Sequence, residues 1–375
     1  MPRRWLHLFA VALGVAAFVP PAAGAQEPPD PCLQASLPQI SAPPNRIRFG
    51  ITPQLAGTVG AAQGEVVAED PALRKAALQA LRPPKRTMVI RLNRLFMSDG
   101  DAGIARFAAR ARRYARAGFA IESQVRYHPS PEQEGDIVAW RKFVRRASKA
   151  LGRNPALVSL TITNEVNLPL SENTSDGAFA GATEAIVRGV PTARRALDRL
   201  GRDDVELGFS YAYRYLPEED AKFWRSIGEL ATPRFLPSLD YVGVQLYPGL
   251  FWPPVLVTQT TGEATIEALT LVRDCYMPQA GLGDEIGVWV SENGYSSNSR
   301  RPEARQVAEL EDTIASIRAY SGTLGVSDYR YFNLRDNRPD GSDIFDNVGL
   351  LRADYSRKPS FGLYRGLVKR WGTRR

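Results

Sequence analysis

Cysteine and histidine are scarce in this chain of 375 residues, with two of each. His7 falls in the leading segment described below, so His128 is the only imidazole of the body of the chain, and Cys32 and Cys275 are its only thiols. That set cannot furnish the tetrahedral Cys/His cage of a structural zinc site. Neither a metal nor an organic cofactor is expected. Long apolar runs are missing too: past residue 25 no stretch approaches the roughly 20 residues that a membrane-spanning helix needs. No Gly-rich turn follows the first strand pattern, which counts against a dinucleotide-binding open sheet. Linkers and composition breaks are also absent from Ile47 to the end.

What is present begins with a leader. Arg3 and Arg4 precede an apolar run from Leu8 to Val19, and Ala23-Gly24-Ala25 closes it as an A-x-A site. This is the pattern of a secretory signal over 1–25, cleaved near Ala25; retention as a tether is the alternative. Residues 26–45 carry six prolines and no periodicity and form a Pro-rich extended arm. An exported protein is therefore expected, without stable membrane insertion. In that setting Cys32 and Cys275 suggest a disulfide from the arm to the barrel wall; the other reading is a buried Cys275 and an exposed Cys32. The net charge of +8 does not point to nucleic acid. Arg3 and Arg4 leave with the leader, and five more cations (Arg365, Lys369, Arg370, Arg374, Arg375) sit on the last helix and tail, leaving +1 elsewhere. No recognition module accompanies the charge. Weak attraction to an anionic surface or polymer is compatible with it.

From residue 46 to 375 strand and helix patterns alternate. Eight apolar strand candidates occupy 47–51, 87–92, 120–126, 157–162, 206–211, 239–246, 286–290 and 328–332. The segments between them carry one-sided apolar stripes: Ile104, Phe107, Ala108, Ala111, Tyr114 and Ala115 form one, and Val307, Leu310, Ile314 and Ile317 another. Asp70-Pro71 is an N-cap followed by proline at the first helical position. Eight such units predict a single (β/α)8 TIM barrel, with a doubly wound sheet as the alternative. In a barrel of this kind the C-terminal ends of the strands carry the chemistry.

Two of those ends carry glutamates, Glu165 in Thr163-Asn164-Glu165-Val166 and Glu292 in Ser291-Glu292-Asn293-Gly294, 127 residues apart. Strands four and seven stand across a barrel from one another, so their carboxylates can converge on one bond. A pair about 5–5.5 Å apart is the machinery of retaining glycoside hydrolysis. The plain alternative makes each an ordinary strand-end acid paired with arginine. Trp252, in the turn-rich run Pro248 to Pro254, can stack on a sugar face, as can Tyr213, Phe251, Tyr295 and Phe332. The polar segment 168–177 follows Glu165 and is placed to cover the site.

These motifs resemble clan A glycoside hydrolases, the retaining (β/α)8 group of cellulases, mannanases, xylanases and β-glucosidases. The run Ser291-Glu292-Asn293-Gly294 is similar to the β-glucosidase branch. Ile90-Arg91-Leu92, Tyr247-Pro248 and the stretch from Gly349 through Lys358-Pro359 are similar to the cellulase-like branch. The resemblance implies Glu292 as nucleophile and Glu165 as general acid/base, Arg91 and Tyr247 holding the nucleophile, and Asn164 on the sugar 2-hydroxyl. It implies a substrate-contacting role for His128, in Tyr127-His128-Pro129. The chain departs from the cellulase pattern after strand five, where 211–215 holds no histidine. It departs again after strand eight, where Phe332-Asn333 stands in place of a tryptophan platform and makes Asn333 a candidate sugar contact. The expected partner is a β-linked glycoside or polysaccharide. A retaining hydrolase, a non-catalytic carbohydrate-binding barrel and a transglycosylase using the same residues all remain open.

Overall fold

A computed structural model describes residues 32, 37–55, 66–170, 172–214, 216–339, 341 and 343–374. The expected leader lies outside the described residues, as does half of the Pro-rich arm. Eight strands close into a parallel barrel in sequence order. They are β1 (Arg48–Ile51), β2 (Val89–Phe96), β3 (Ala120–Arg126), β4 (Leu157–Ile162), β5 (Glu206–Ala212), β6 (Tyr241–Gln245), β7 (Gly287–Asn293) and β8 (Val326–Tyr331). The helices are α1 (Pro71–Leu81), α2 (Gly100–Arg116), α3 (Ile137–Gly152), α4 (Ala182–Asp198), α5 (Pro217–Leu230), α6 (Thr261–Leu271), the single turn α7 (Met277–Gln279), α8 (Glu303–Tyr320) and α9 (Pro359–Trp371). The (β/α)8 expectation holds, and β3 and β4 have the expected bounds.

Local chemistry explains the helices. Asp70 caps α1 by accepting from Ala72 N at 2.7 Å and Leu73 N at 3.0 Å, satisfying donors that have no partner inside a helix. On α2 the predicted stripe turns inward: Ile104, Phe107, Ala108 and Ala111 are buried, and Gly118 takes φ 83° just beyond the helix. The end of the arm is tied to the α8–β8 turn, Asn45 N donating to Ser321 Oγ at 2.7 Å.

β2 and β7 run three or more residues past the C-terminal bounds that the sequence pattern suggested, and each does so through a bulge. Register slips by one residue on β2 between Leu92 and Leu95, and on β7 between Val290 and Asn293. A bulge leaves one residue unpaired and re-aims its neighbours. Here the bulged residues are Asn93–Arg94 and Ser291–Glu292, both at the C-terminal end of the barrel.

Most TIM-barrel interiors are filled by branched aliphatic residues. This one is largely ionic. Arg91 Nε lies 3.2 Å from Glu122 Oε1, Arg330 Nε 2.7 Å from Glu122 Oε2, and Arg330 Nη2 and Arg48 Nε each 2.7 Å from Asp328 Oδ1. Arg48 also pairs with Glu206. Three cations and three carboxylates are thus interleaved, which a buried charge requires to offset its lost hydration. Two glycines make room for this bulky interior. A Cβ on Gly50 would meet Arg330 Cδ at 2.6 Å and one on Gly208 the Tyr241 ring at 2.5 Å; that ring stacks on Trp289 with centroids 3.5 Å apart.

The disulfide expected between Cys32 and Cys275 is not formed. The two residues are near but not bonded, both packed half-buried against the core. Cys275 sits in a π-helical turn, Val272–Tyr276, between α6 and α7, and Gln279 Nε2 donates to Cys32 Sγ at 3.8 Å.

Candidate active site

The site starts from an unusual backbone. Just past β4, Thr163 and Glu165 adopt φ 71° and 47°, the left-handed region that costs a residue with a Cβ about 1–3 kcal/mol. Hydrogen bonds over-determine the turn. Thr163 N donates to Val125 O at 2.8 Å, Asn164 N to Asp176 Oδ2 at 2.9 Å, and Glu165 N to Ser210 Oγ at 3.1 Å. Asp176 also accepts from Tyr127 N at 2.8 Å and Arg126 Nε at 2.8 Å, so one buried carboxylate clamps the ends of β3 and β4. Asn164 is held on both faces of its amide: Oδ1 accepts from Gln124 Nε2 at 3.0 Å and Nδ2 donates to Thr174 O at 2.9 Å.

The two glutamates occupy opposite electrostatic settings. Glu292, on the β7 bulge, accepts a hydrogen bond from Arg91 Nη1 and another at 2.9 Å from Tyr247 Oη. Arg91 is wholly buried and fixed from behind by Glu122 and by Gln124 Oε1 at 3.0 Å. Donors of this kind favour the ionised carboxylate. Glu165 has no such cation bonded to it. Burial first, and the nearby charge of Glu292 second, push its pKa up to about 8. It is the proton-holding member of the pair near neutral pH.

Gln245, at the end of β6, was not singled out by the sequence. Its amide nitrogen donates to Glu165 Oε1 at 2.6 Å and its oxygen accepts from Arg91 Nη2 at 3.1 Å, so it bridges the two halves of the site.

Glu165, Glu292, Asn164, Tyr247 and Trp252 all line one cavity of about 770 Å³ at the C-terminal end of the barrel. Tyr213, Phe251 and Phe332 line it as well, together with Leu168, Leu170, Asn173 and Thr174 of the segment expected to cover the site. Trp252 is 39% exposed, as a stacking platform needs. Arg91 lies beneath the cavity rather than on its wall. His128 and Asn333 are not on the wall. The His128 ring stacks on Phe96 at 4.5 Å with Ser98 Oγ 3.4 Å from Nδ1, and Asn333 is buried with its Nδ2 donating to Gln54 O at 2.9 Å. Tyr295 is buried in packing. Besides Gln245, the sequence reading missed Gln124, Ser210 and Asp176. The first two are inward-facing polar residues of strands and could have been flagged by strand alternation; Asp176 carried no signal.

No family model matches the chain, and no curated protein matches it. Solved structures do resemble it. GH5_18 from Streptomyces cattleya, in complex with GlcNAc, superposes with TM-score 0.57 at 14% identity over 88% of this chain and 81% of that one. GH5_18 from Bifidobacterium longum gives 0.59 at 14% identity over 87% and 80%. The family 1 β-glucosidase from Thermotoga maritima, in complex with isofagomine lactam, gives 0.53 at 13% identity over 88% and 98%. At these identities the likeness establishes the barrel fold that this chain shares with glycoside hydrolases.

Proposed function

We propose that this chain is a retaining β-glycosidase of the clan A type, acting without a cofactor, with Glu292 as nucleophile and Glu165 as general acid/base. The observation that carries the reading is the inequality of two carboxyls on one cavity wall: Glu292 bound by Arg91 and Tyr247, Glu165 raised to about 8. Two neighbouring carboxyls in unequal surroundings, one of them holding its proton, mark acid and nucleophile roles. The likeness in fold to glycoside hydrolases of three families supports it.

In the first step a Glu292 oxygen attacks the anomeric carbon while the C–O bond to the leaving group breaks and Glu165 passes its proton to the departing oxygen. The sugar is then an ester of Glu292. In the second step Glu165, now ionised, takes a proton from water as that water attacks the anomeric carbon and releases Glu292. Asn164 offers its amide at the sugar 2-hydroxyl. Export after cleavage near Ala25 belongs to the same reading, and oxidation outside the cell then closes Cys32 and Cys275 into the bridge.

A panel of 4-nitrophenyl β-glycosides followed by a 2-deoxy-2-fluoro analogue of the best substrate tests the reading. The expected result is hydrolysis with retained configuration and a stable sugar adduct on the peptide that contains Glu292. An adduct elsewhere, or inverted product, overturns it.

A further inference from the structure

Among the described residues the cavity wall carries three arginines, Arg94, Arg126 and Arg214, and no acid other than the two glutamates. Two of the arginines are already matched. Arg214 pairs with Asp220 at 2.9 Å and Glu219 at 3.3 Å, and Arg126 with Asp176 at 2.8 Å. Glu292 is matched in turn by Arg91. Arg94 is different: among the described residues it has no ion pair, and its Nη2 donates only to the backbone oxygen of Leu55 at 2.9 Å. It is exposed on the wall because the β2 bulge at Asn93–Arg94 breaks the strand alternation there.

Arg126 stands close behind it at the end of β3. Its guanidinium lies 5.1 Å over the Phe96 ring, and its buried Nη2 has no hydrogen-bond partner among the described residues. The charge of Arg126 reaches Arg94. A cation facing a cavity without a counter-charge attracts ligands of the opposite sign, and a guanidinium fork fits a planar carboxylate with two hydrogen bonds.

We propose that the sugar recognised here is acidic, a β-linked hexuronic residue whose carboxylate is received by Arg94 with Arg126 reinforcing the positive field. The proposal rests on the glycosidase reading for its chemistry and adds the substrate class. A site arranged to bond a particular group discriminates strongly against the analogue that lacks it, because its own polar atoms are then left unpaired.

The test compares matched pairs of substrates that differ only at C6, 4-nitrophenyl β-D-glucuronide against the β-D-glucoside and β-D-galacturonide against the β-D-galactoside. Each uronide is expected to show a kcat/KM at least about tenfold above its neutral partner at low salt, the gap narrowing as salt screens the attraction. Arg94→Gln should cut that ratio by about tenfold, chiefly through KM, and Arg94→Lys by less, since lysine keeps the charge and loses the fork. Calorimetric titration with glucuronic acid and with glucose reads the same preference without catalysis. Hydrolysis of both partners with no preference, or a ratio unmoved in Arg94→Gln, overturns the acidic-sugar proposal while the glycosidase reading stands. Glucuronic acid bound more tightly than glucose, lost in Arg94→Gln but with no hydrolysis of any substrate, supports acid recognition and overturns the glycosidase reading. Neither hydrolysis nor preferential binding overturns both.

Discussion

At the residue scale the two glutamates divide one task between two environments, and their variants should fail in different ways. Glu292→Gly removes the nucleophile and leaves room for azide or formate. The added anion should restore turnover of an activated substrate with inverted configuration, because one displacement then replaces two. Glu165→Ala should still form the glycosyl-enzyme from activated leaving groups and give a retained glycosyl azide. Both should lose several orders of magnitude on unactivated substrates. Product configuration by NMR distinguishes the cases, and parent-like activity in either variant would falsify the assignment. The proton on Glu165 also sets a pH limit. Since its pKa is raised to about 8, kcat/KM should fall as pH rises through that value, and an unchanged rate well above it speaks against Glu165 as the acid.

At the scale of elements, the working geometry depends on how strand ends are tied together. Asp176 lies outside the strands, yet its carboxylate accepts from the backbones of Tyr127 and Asn164 and from Arg126. Asp176→Ala leaves a buried guanidinium without its counter-charge and frees two buried N–H groups. The expected cost is about 3–5 kcal/mol of stability, read by urea denaturation, with loss of activity as the turn carrying Glu165 loses its hold on Asn164 N. Asp176→Asn, which removes the charge but keeps one acceptor oxygen and the shape, should lose less than Asp176→Ala yet clearly more than nothing, and parent-like stability in Asp176→Asn would refute the charge argument. The bulges on β2 and β7 act in the same way, since each turns a functional side chain off the strand's ordinary alternation.

For the molecule as a whole, a carboxyl buried in neutral form makes stability depend on pH. The pKa of Glu165 is raised in the fold from 4.5 to about 8, so the folded state binds the proton more tightly. Its contribution is fully present below about 4.5 and is lost as pH rises through about 8. Denaturation midpoints of the parent should drop across that window, and Glu165→Gln should flatten this part of the slope; an identical slope in the variant removes Glu165 as the cause. Oxidation state is a second global property. Protein recovered from an oxidising compartment should show no titratable thiol under denaturing, non-reducing conditions if Cys32 and Cys275 are joined, whereas two titrated thiols refute the bridge.

The amino-acid sequence alone determined the order and type of the elements, because strand alternation, helical stripes and the Asp70-Pro71 cap are local patterns that need no partner to be read. It also placed Glu165 and Glu292 at strand ends, since an apolar strand that stops at an acid marks the end of burial. Tertiary structure decided the rest. Closure of the barrel brought Arg91 and Tyr247 onto Glu292 from β2 and from the segment after β6, and it set His128 and Asn333 behind the cavity wall. Bulges shifted Arg94 and Glu292 against the strand period that sequence reading assumes. The raised pKa of Glu165 and its contact with Gln245 arise from burial and from neighbours far off in the chain. Charge and hydrogen bonding act through space, and separation along the chain does not report distance in the fold.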